Sequence, residues 1–249
     1  MPFDIRTTSP DQTNGDQTKK MQADEIKVAS RAPHERAADA INEVFIAKYR
    51  RRDGSDDCAS IYSALGAFAG FGIQMAIRET LVNPGKMPED EAFVIIETND
   101  GKRYYFGDLL DGGLFGGQTI SVWSLIAGAA QAAGAELLPD VNEIASHNAK
   151  VLGKKEFGIP RVAEAFQPRE TPHDVLRSDW RPMRELLVRY GVEPRYWGWT
   201  FAMAAQYLIL RDKGKFDPAI AAAIAMEAAI SMSKIDPRDV EPDRNPNSA

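Results

Sequence analysis

Three ionisable side chains near the middle of the chain have a spacing that could support acid–base chemistry. Asp140, Glu143 and His147 are three and four positions apart, which places them on one face of a helix. A carboxylate beside an imidazole can orient it for proton transfer, and such a stripe can bind a divalent metal. The sequence shows no second ligand-rich helix. We therefore assign no metal and keep an exposed polar face as the alternative.

A glycine-rich run from Gly107 to Gln118 is a second candidate, because backbone N–H groups at a helix N-terminus can hold a phosphate or a carboxylate. The run lacks the spacing of the known phosphate-binding loops, and Asp108 and Asp111 would repel an anion. The alternative is a tight turn that passes near the core. If the run does bind a ligand, the expected contacts are Gly112, Gly113, Gly116, Gly117 and Thr119.

Half of the tryptophans lie in one aromatic run, from Arg195 to Phe201. Trp197 and Phe201 are one helical turn apart, and Trp199 points elsewhere. The run could be the wall of a ligand pocket, an interface with another protein, or part of the core. A small-molecule or anion binder would use this run together with the glycine-rich loop 107–118, in one shared cavity.

The chain has one cysteine, Cys58, so no intramolecular disulfide and no cysteine cluster for a metal can form. Cys58 opens a predicted helix, and the helix dipole there would lower the pKa of its thiol. A catalytic cysteine also needs a base placed in space, which the sequence does not show. A buried, small apolar residue is the alternative.

The composition excludes some classes of function. The 249 residues are 44% hydrophobic and 27% charged, with 30 basic and 36 acidic side chains, so we expect no nucleic-acid partner. The apolar stretches 61–77 and 120–135 are short for a membrane span, and we interpret them as buried core helices. The first residues lack the apolar core of a secretory signal. We expect a cytoplasmic protein without a cofactor.

The elements form one mainly helical domain over residues 31–235, between disordered tails at 1–30 and 236–249. Proline at helix starts and glycine after helix ends mark most of the boundaries. Strands and helices do not alternate, which excludes a parallel sheet. The expected longer helices begin near residue 33 and cover about 57–81, 119–134, 139–152, 182–190, 194–212 and 218–234, with short ones near 160–166 and 172–178.

The exception is a β-hairpin at about 93–106, where two β-rich segments flank Asn99-Asp100-Gly101-Lys102. A two-residue loop would pair Ile96 with Tyr105 and Ile95 with Phe106. A lone hairpin is marginally stable in water, so it must lie against helices or against a second copy of the chain.

Small residues predict close helix packing. Gly66 and Gly70 each cost about 1 kcal/mol relative to alanine inside a helix, and a close crossing with another helix would offset that cost. A kink near Gly70 is the alternative. The alanine-rich segment 219–230 is equally slender.

Three functions follow from these observations. The first is a non-catalytic protein that self-associates as a homo-oligomer or binds another protein. The second is a small-molecule or anion binder that uses 107–118 and 195–201. The third is an enzyme that uses Asp140, Glu143 and His147.

Overall fold

The computed structural model describes residues 31–116 and 120–241, and it confirms a mainly helical fold with one small hairpin. Single turns of 3-10 helix cover Glu164–Phe166 and Pro194–Tyr196. The helices are α1 Pro33–Lys48, α2 Cys58–Ile77, α3 Glu89–Ala92, α4 Asp108–Phe115, α5 Val122–Ala133, α6 Val141–Lys150, α7 Pro172–Arg189, α8 Trp197–Arg211, α9 Pro218–Met232 and α10 Pro237–Val240, and the strands are β1 Val94–Glu97 and β2 Arg103–Phe106.

Helix α2 is the centre of the fold, because all of its residues after Cys58 are buried. Helices α7, α8 and α9 pack around it, while α1 and α5 cover the other side of α8. An aromatic cluster fills the space between α2, α7 and α8. Trp180 is its centre, with the ring centroids of Phe71 and Trp197 at 4.7 and 6.1 Å.

The predicted close packing of small residues is confirmed. A Cβ atom on Gly66 would overlap the backbone of Ala225 in α9, and one on Gly70 would overlap the backbone of Ala229. The two backbones touch because neither helix has bulk at the crossing. The close approach to α9 explains these two glycines, which therefore need no kink.

The predicted register of the hairpin is wrong by one residue. Ile95 pairs with Tyr105, and Ile96 pairs with Tyr104. The loop is longer than two residues, because the amide of Gly101 donates to the carbonyl of Thr98 and Gly101 adopts a φ of 79°. Such a three-residue loop ends on a left-handed glycine, and the one-residue shift exchanges the two faces of the strand.

Two other boundaries differ from the expectation. Residues 236–241, expected as part of the C-terminal tail, include α10, whose start is capped by Asp236 and whose Val240 is buried. The segments 172–178 and 182–190 form one continuous helix, α7, with Pro182 inside it. The apolar face of α7 carries Trp180 and Met183, and burial of this face outweighs the preference of proline for a helix end.

One segment of the described chain, Cys58–Val82, is long and apolar enough to cross a membrane. Its most apolar window is entirely buried within the protein, as the central helix of a globular core would be.

The C-terminal end of α2 changes geometry where the core ends. Arg78–Val82 continues the helix as a π-helical turn, in which the amide of Asn83 donates to the carbonyl of Arg78, five residues earlier. The Arg78 guanidinium lies 4.9 and 4.4 Å from the ring centroids of Phe93 and Tyr105. This turn joins the helical core to the hairpin.

Candidate functional site

Two cavities lie on either side of one tryptophan, Trp199. The first has a volume of about 400 Å³ and the second of about 430 Å³. Both volumes fall in the range of small-molecule sites in proteins. Trp199 lines both cavities, so its indole ring is part of a shared wall.

The first cavity is lined by aromatic and aliphatic side chains from three parts of the chain. Helix α8 contributes Trp199, Thr200 and Met203. Met203 lies about one turn after each of the other two, so the three side chains border the same side of the helix. The preceding 3-10 turn adds Tyr196, whose ring centroid lies 6.0 Å from that of Trp199. The remaining lining residues are Pro33, His34, Ile120, Leu125, Gly191, Val192 and Glu193.

Few polar groups line the first cavity. His34, in the first turn of α1, lies against Tyr196 with 5.6 Å between ring centroids. The hydroxyl of Thr200 donates to the carbonyl of Tyr196 at 2.8 Å. The carboxylate of Glu193 forms an ion pair with Arg195 at 3.0 Å. Glu193 is thus the one acidic residue of a lining that is otherwise mainly apolar.

The second cavity lies between α2 and α4. Its apolar walls include Ile73, Ile77 and Leu109, and its polar groups are Thr80 and Arg195. Thr80 lies in the π-helical turn and donates its hydroxyl to the carbonyl of Ala76 at 2.6 Å. π-helical turns within α-helices are frequent at functional sites.

The glycine-rich run is a helix rather than the expected loop. Residues 108–115 form α4, which starts after Gly107 at a φ of 129° and ends at Gly116 at a φ of 74°. Leu110 and Leu114, four positions apart, are buried and fix this helix against the core. The leucine pattern outweighs the low helix propensity of the two internal glycines.

The structure brings several of the predicted ligand contacts together. Gly112, Gly113 and Gly116 line the second cavity beside Trp199, as one cavity shared by the two runs requires. Gly113 approaches Ile73 so closely that a Cβ atom would lie 2.5 Å from the Ile73 side chain, whereas a Cβ atom on Gly112 would meet nothing within 4 Å. Gly117 and Thr119 lie outside the described residues.

Trp197 does not line either cavity. It is only 4% exposed, and its indole N–H donates to the carbonyl of Val192 at 3.2 Å. The ring belongs to the aromatic core around Trp180. By contrast, Trp199 is half-buried, and its indole N–H is buried without a hydrogen-bond acceptor in the chain as described.

The predicted acid–base triad is not assembled. Asp140 lies before α6 as its N-cap and accepts from the amides of Asn142 and Glu143, which uses its carboxylate structurally. Glu143 accepts two hydrogen bonds from Arg161, at 2.8 and 2.6 Å. His147 is half-buried, and its imidazole forms no hydrogen bond or ion pair with the described residues. Arg161 lowers the pKa of Glu143, and His147 helps to lower it by a smaller amount. Asp140 and Glu143 therefore have other partners.

Arg161 also binds a buried acid, Glu227 of α9, at 2.8 Å. Burial raises the pKa of Glu227, although Arg161 opposes that shift. The arrangement links α6 and α9 through one guanidinium. We interpret it as a structural ion-pair network, because none of the cavities described here includes it.

Cys58 lacks the expected activation. Burial and the nearby Asp212 and Asp56 raise the pKa of the thiol to about 11, so the dipole of α2 is outweighed. The carboxylate of Asp212 accepts a hydrogen bond from Tyr62 at 2.8 Å, and the thiol lies 3.7 Å from the same oxygen. A thiol with this pKa is protonated at neutral pH and is a poor nucleophile.

Within residues 31–116 and 120–241, no group of three or more His, Cys, Asp or Glu side chains could hold a metal ion.

Sequence reasoning missed part of the first cavity. Neither His34 nor Met203 was among the predicted site residues. A usable signal was present, because Tyr196, Trp199, Thr200 and Met203 recur at helical spacing beside the aromatic run. The contribution of α1 is a long-range contact that the local pattern does not contain.

Comparison of the chain with models of protein families, with curated proteins and with solved structures gives no match. The function must therefore be inferred from the geometry of the site itself.

Proposed function

We propose that this protein binds a small organic molecule whose apolar, uncharged part lies in the first cavity. The observation that carries the proposal is an aromatic-walled cavity of about 400 Å³ with a mainly apolar lining. Burial of an apolar ligand there removes about 25 cal/mol of unfavourable hydration per Å² of apolar surface. Large aromatic side chains around a concave space with few polar groups are typical of small-molecule sites.

The aromatic walls of the site support a ligand with an extended apolar surface. The rings of Tyr196 and Trp199 meet at 48°, and the ring centroid of His34 lies 5.6 Å from that of Tyr196. Aromatic ligands gain from offset or edge-to-face contacts with such rings. The hydrogen-bonding groups at the margin, on His34 and Glu193, can orient a single polar substituent.

A fluorescence titration with the neutral dye N-phenyl-1-naphthylamine tests this proposal. The wild-type protein should bind the dye with a Kd in the micromolar range, about −8 kcal/mol. Met203→Trp fills the cavity and should weaken binding at least about tenfold. Leu210→Trp, on the same helix but 43% exposed and outside the cavity, should leave the affinity unchanged. Equal affinities for the two variants, or no binding by the wild type, would contradict the proposal.

Self-association remains a second candidate. The small-residue faces of α2 and α9 pack against each other within one chain, so they no longer support self-association. The observation that still favours it is strand β1, which pairs with β2 on one side and has Val94 60% exposed. An exposed strand edge is a template for pairing with another chain. Sedimentation velocity showing a monomer at all micromolar concentrations would contradict this candidate.

A further inference from the structure

The wall between the two cavities contains an unsatisfied polar group. The Trp199 indole borders both cavities, and its N–H is buried without an acceptor among the described residues. A buried donor without a partner is unfavourable, and an acceptor brought by a ligand would remove that cost. A hydrogen-bond acceptor therefore belongs near this wall.

The second cavity has the cation that an acidic acceptor needs. Arg195 lines it, and its present partner is Glu193, at 3.0 Å. Both side chains are well exposed, at 58% and 62%. Because exposed ion pairs contribute little, a ligand carboxylate can take a position beside the guanidinium without a large cost.

The floor of the second cavity is open at one glycine. Gly112 lies inside α4 in a helical conformation, and no neighbouring atom lies within 4 Å of the place a Cβ atom would take. Neither backbone strain nor packing therefore requires glycine here. Because Gly112 has no side chain, the cavity stays wide beside Arg195 and Trp199.

From these observations we infer that the two cavities are the two halves of one site for an elongated amphipathic acid. The apolar body of the ligand lies in the first cavity, and its carboxylate lies in the second, beside Arg195. This inference rests on the proposed binding of an apolar molecule in the first cavity and extends it to the class of ligand. The same carboxylate is the acceptor that the Trp199 indole N–H lacks.

Competition against N-phenyl-1-naphthylamine tests the inference, with straight-chain carboxylic acids from octanoic to tetradecanoic acid and the alcohols of the same lengths. Each methylene that enters apolar space should tighten binding about fourfold. The acids should bind more tightly than the alcohols. Arg195→Gln should remove the advantage of the acids, about tenfold, while leaving the affinities of the alcohols unchanged.

Two variants narrow the second cavity without touching the first. Gly112→Leu places a side chain in open space, and Leu109→Trp enlarges a residue that is already exposed. Both should end the gain in affinity with chain length at a shorter acid. Gly128→Leu is the matched control, since Gly128 also lies in a helix with nothing within 4 Å and lines neither cavity.

The outcomes separate the two proposals. One outcome is that the dye binds the wild type and Met203→Trp weakens this binding, while Gly112→Leu and Leu109→Trp leave the dependence of affinity on chain length unchanged. In that case the inference of one divided site is wrong, and the proposed function stands. Equal affinities of acids and alcohols would overturn the placement of the carboxylate. If the dye does not bind the wild type, the proposed function fails as well.

Discussion

The middle of α2 and its C-terminal end with the π-helical turn are built in opposite ways. At Gly66 and Gly70 the backbone of α2 touches α9 and leaves no space for a methyl group. From Ile73 to Thr80 the helix borders a cavity, and polar contacts of Arg78 and Thr80 hold its end. Packing therefore requires glycine in the middle of α2, whereas Gly112, across the cavity from the C-terminal end, lies at an open position.

The largest expected effect tests the close crossing of α2 and α9. Gly70→Ala should destabilise the protein by about 3 kcal/mol, because the new methyl group overlaps the Ala229 backbone, which cannot move without displacing α9. Urea unfolding measures the change in the free energy of unfolding. Gly128→Ala, in an open helical position, serves as the control and should not destabilise. A Gly70→Ala protein as stable as the control would contradict the close crossing.

A smaller effect concerns the polar end, where Glu89 accepts hydrogen bonds from Arg78 at 2.6 Å and Arg103 at 3.2 Å. Burial alone would raise the pKa of Glu89, but these two cations outweigh it and lower the pKa. A carboxylate with a lowered pKa adds stability above its unfolded pKa of about 4.3, and this stability is lost as the pH falls through the folded pKa.

Glu89→Gln should therefore cost about 1 kcal/mol at neutral pH, a modest figure because the Glu89 side chain is partly exposed. The difference from the wild type should shrink as the pH falls below about 4. Urea unfolding at a series of pH values measures it. Glu185→Gln removes the exposed pair with Arg181 and should change little. A difference that stayed constant down to low pH would exclude the ionic explanation.

The smallest effect has the opposite sign. Gly112→Ala should stabilise the protein by about 0.5–1 kcal/mol, since alanine is the better helix former and the position is open. Its neighbour offers the contrast, because alanine at Gly113 must displace the Ile73 side chain and should destabilise. The midpoint temperatures of thermal unfolding of the two variants should shift in opposite directions. A shift in the same direction would contradict the position of α4 described here.

Local patterns were sufficient for most of the fold. The helices predicted at about 119–134 and 218–234 form, with Ser121 and Asp217 as their caps. Gly66 and Gly70 lie at the predicted helix crossing, which offsets their cost. The hairpin register was missed because Asp100-Gly101 fits both a two-residue and a three-residue loop. The local sequence does not determine which of the two loops forms. The contacts that the strands make with helices determine it.

The site was harder to predict, since a cavity is an absence of packing between distant segments. Trp197 and Trp199 are equally apolar neighbours, yet one fills the core and the other borders two cavities. Asp140 has the right spacing to share a face with His147, but the helix begins one residue later and uses Asp140 as its cap. The first difference depends on contacts with distant segments, and the second depends on which residue begins the helix.

The environment of Cys58 has a consequence for the behaviour of the protein under oxidative conditions. With a pKa of about 11, only about one thiol in ten thousand is ionised at neutral pH. Peroxide and disulfides react with the thiolate, so sulfenic acid formation and covalent cross-linking of two molecules should be slow. Burial and the acids around it therefore lower the reactivity of the only cysteine thiol in the sequence.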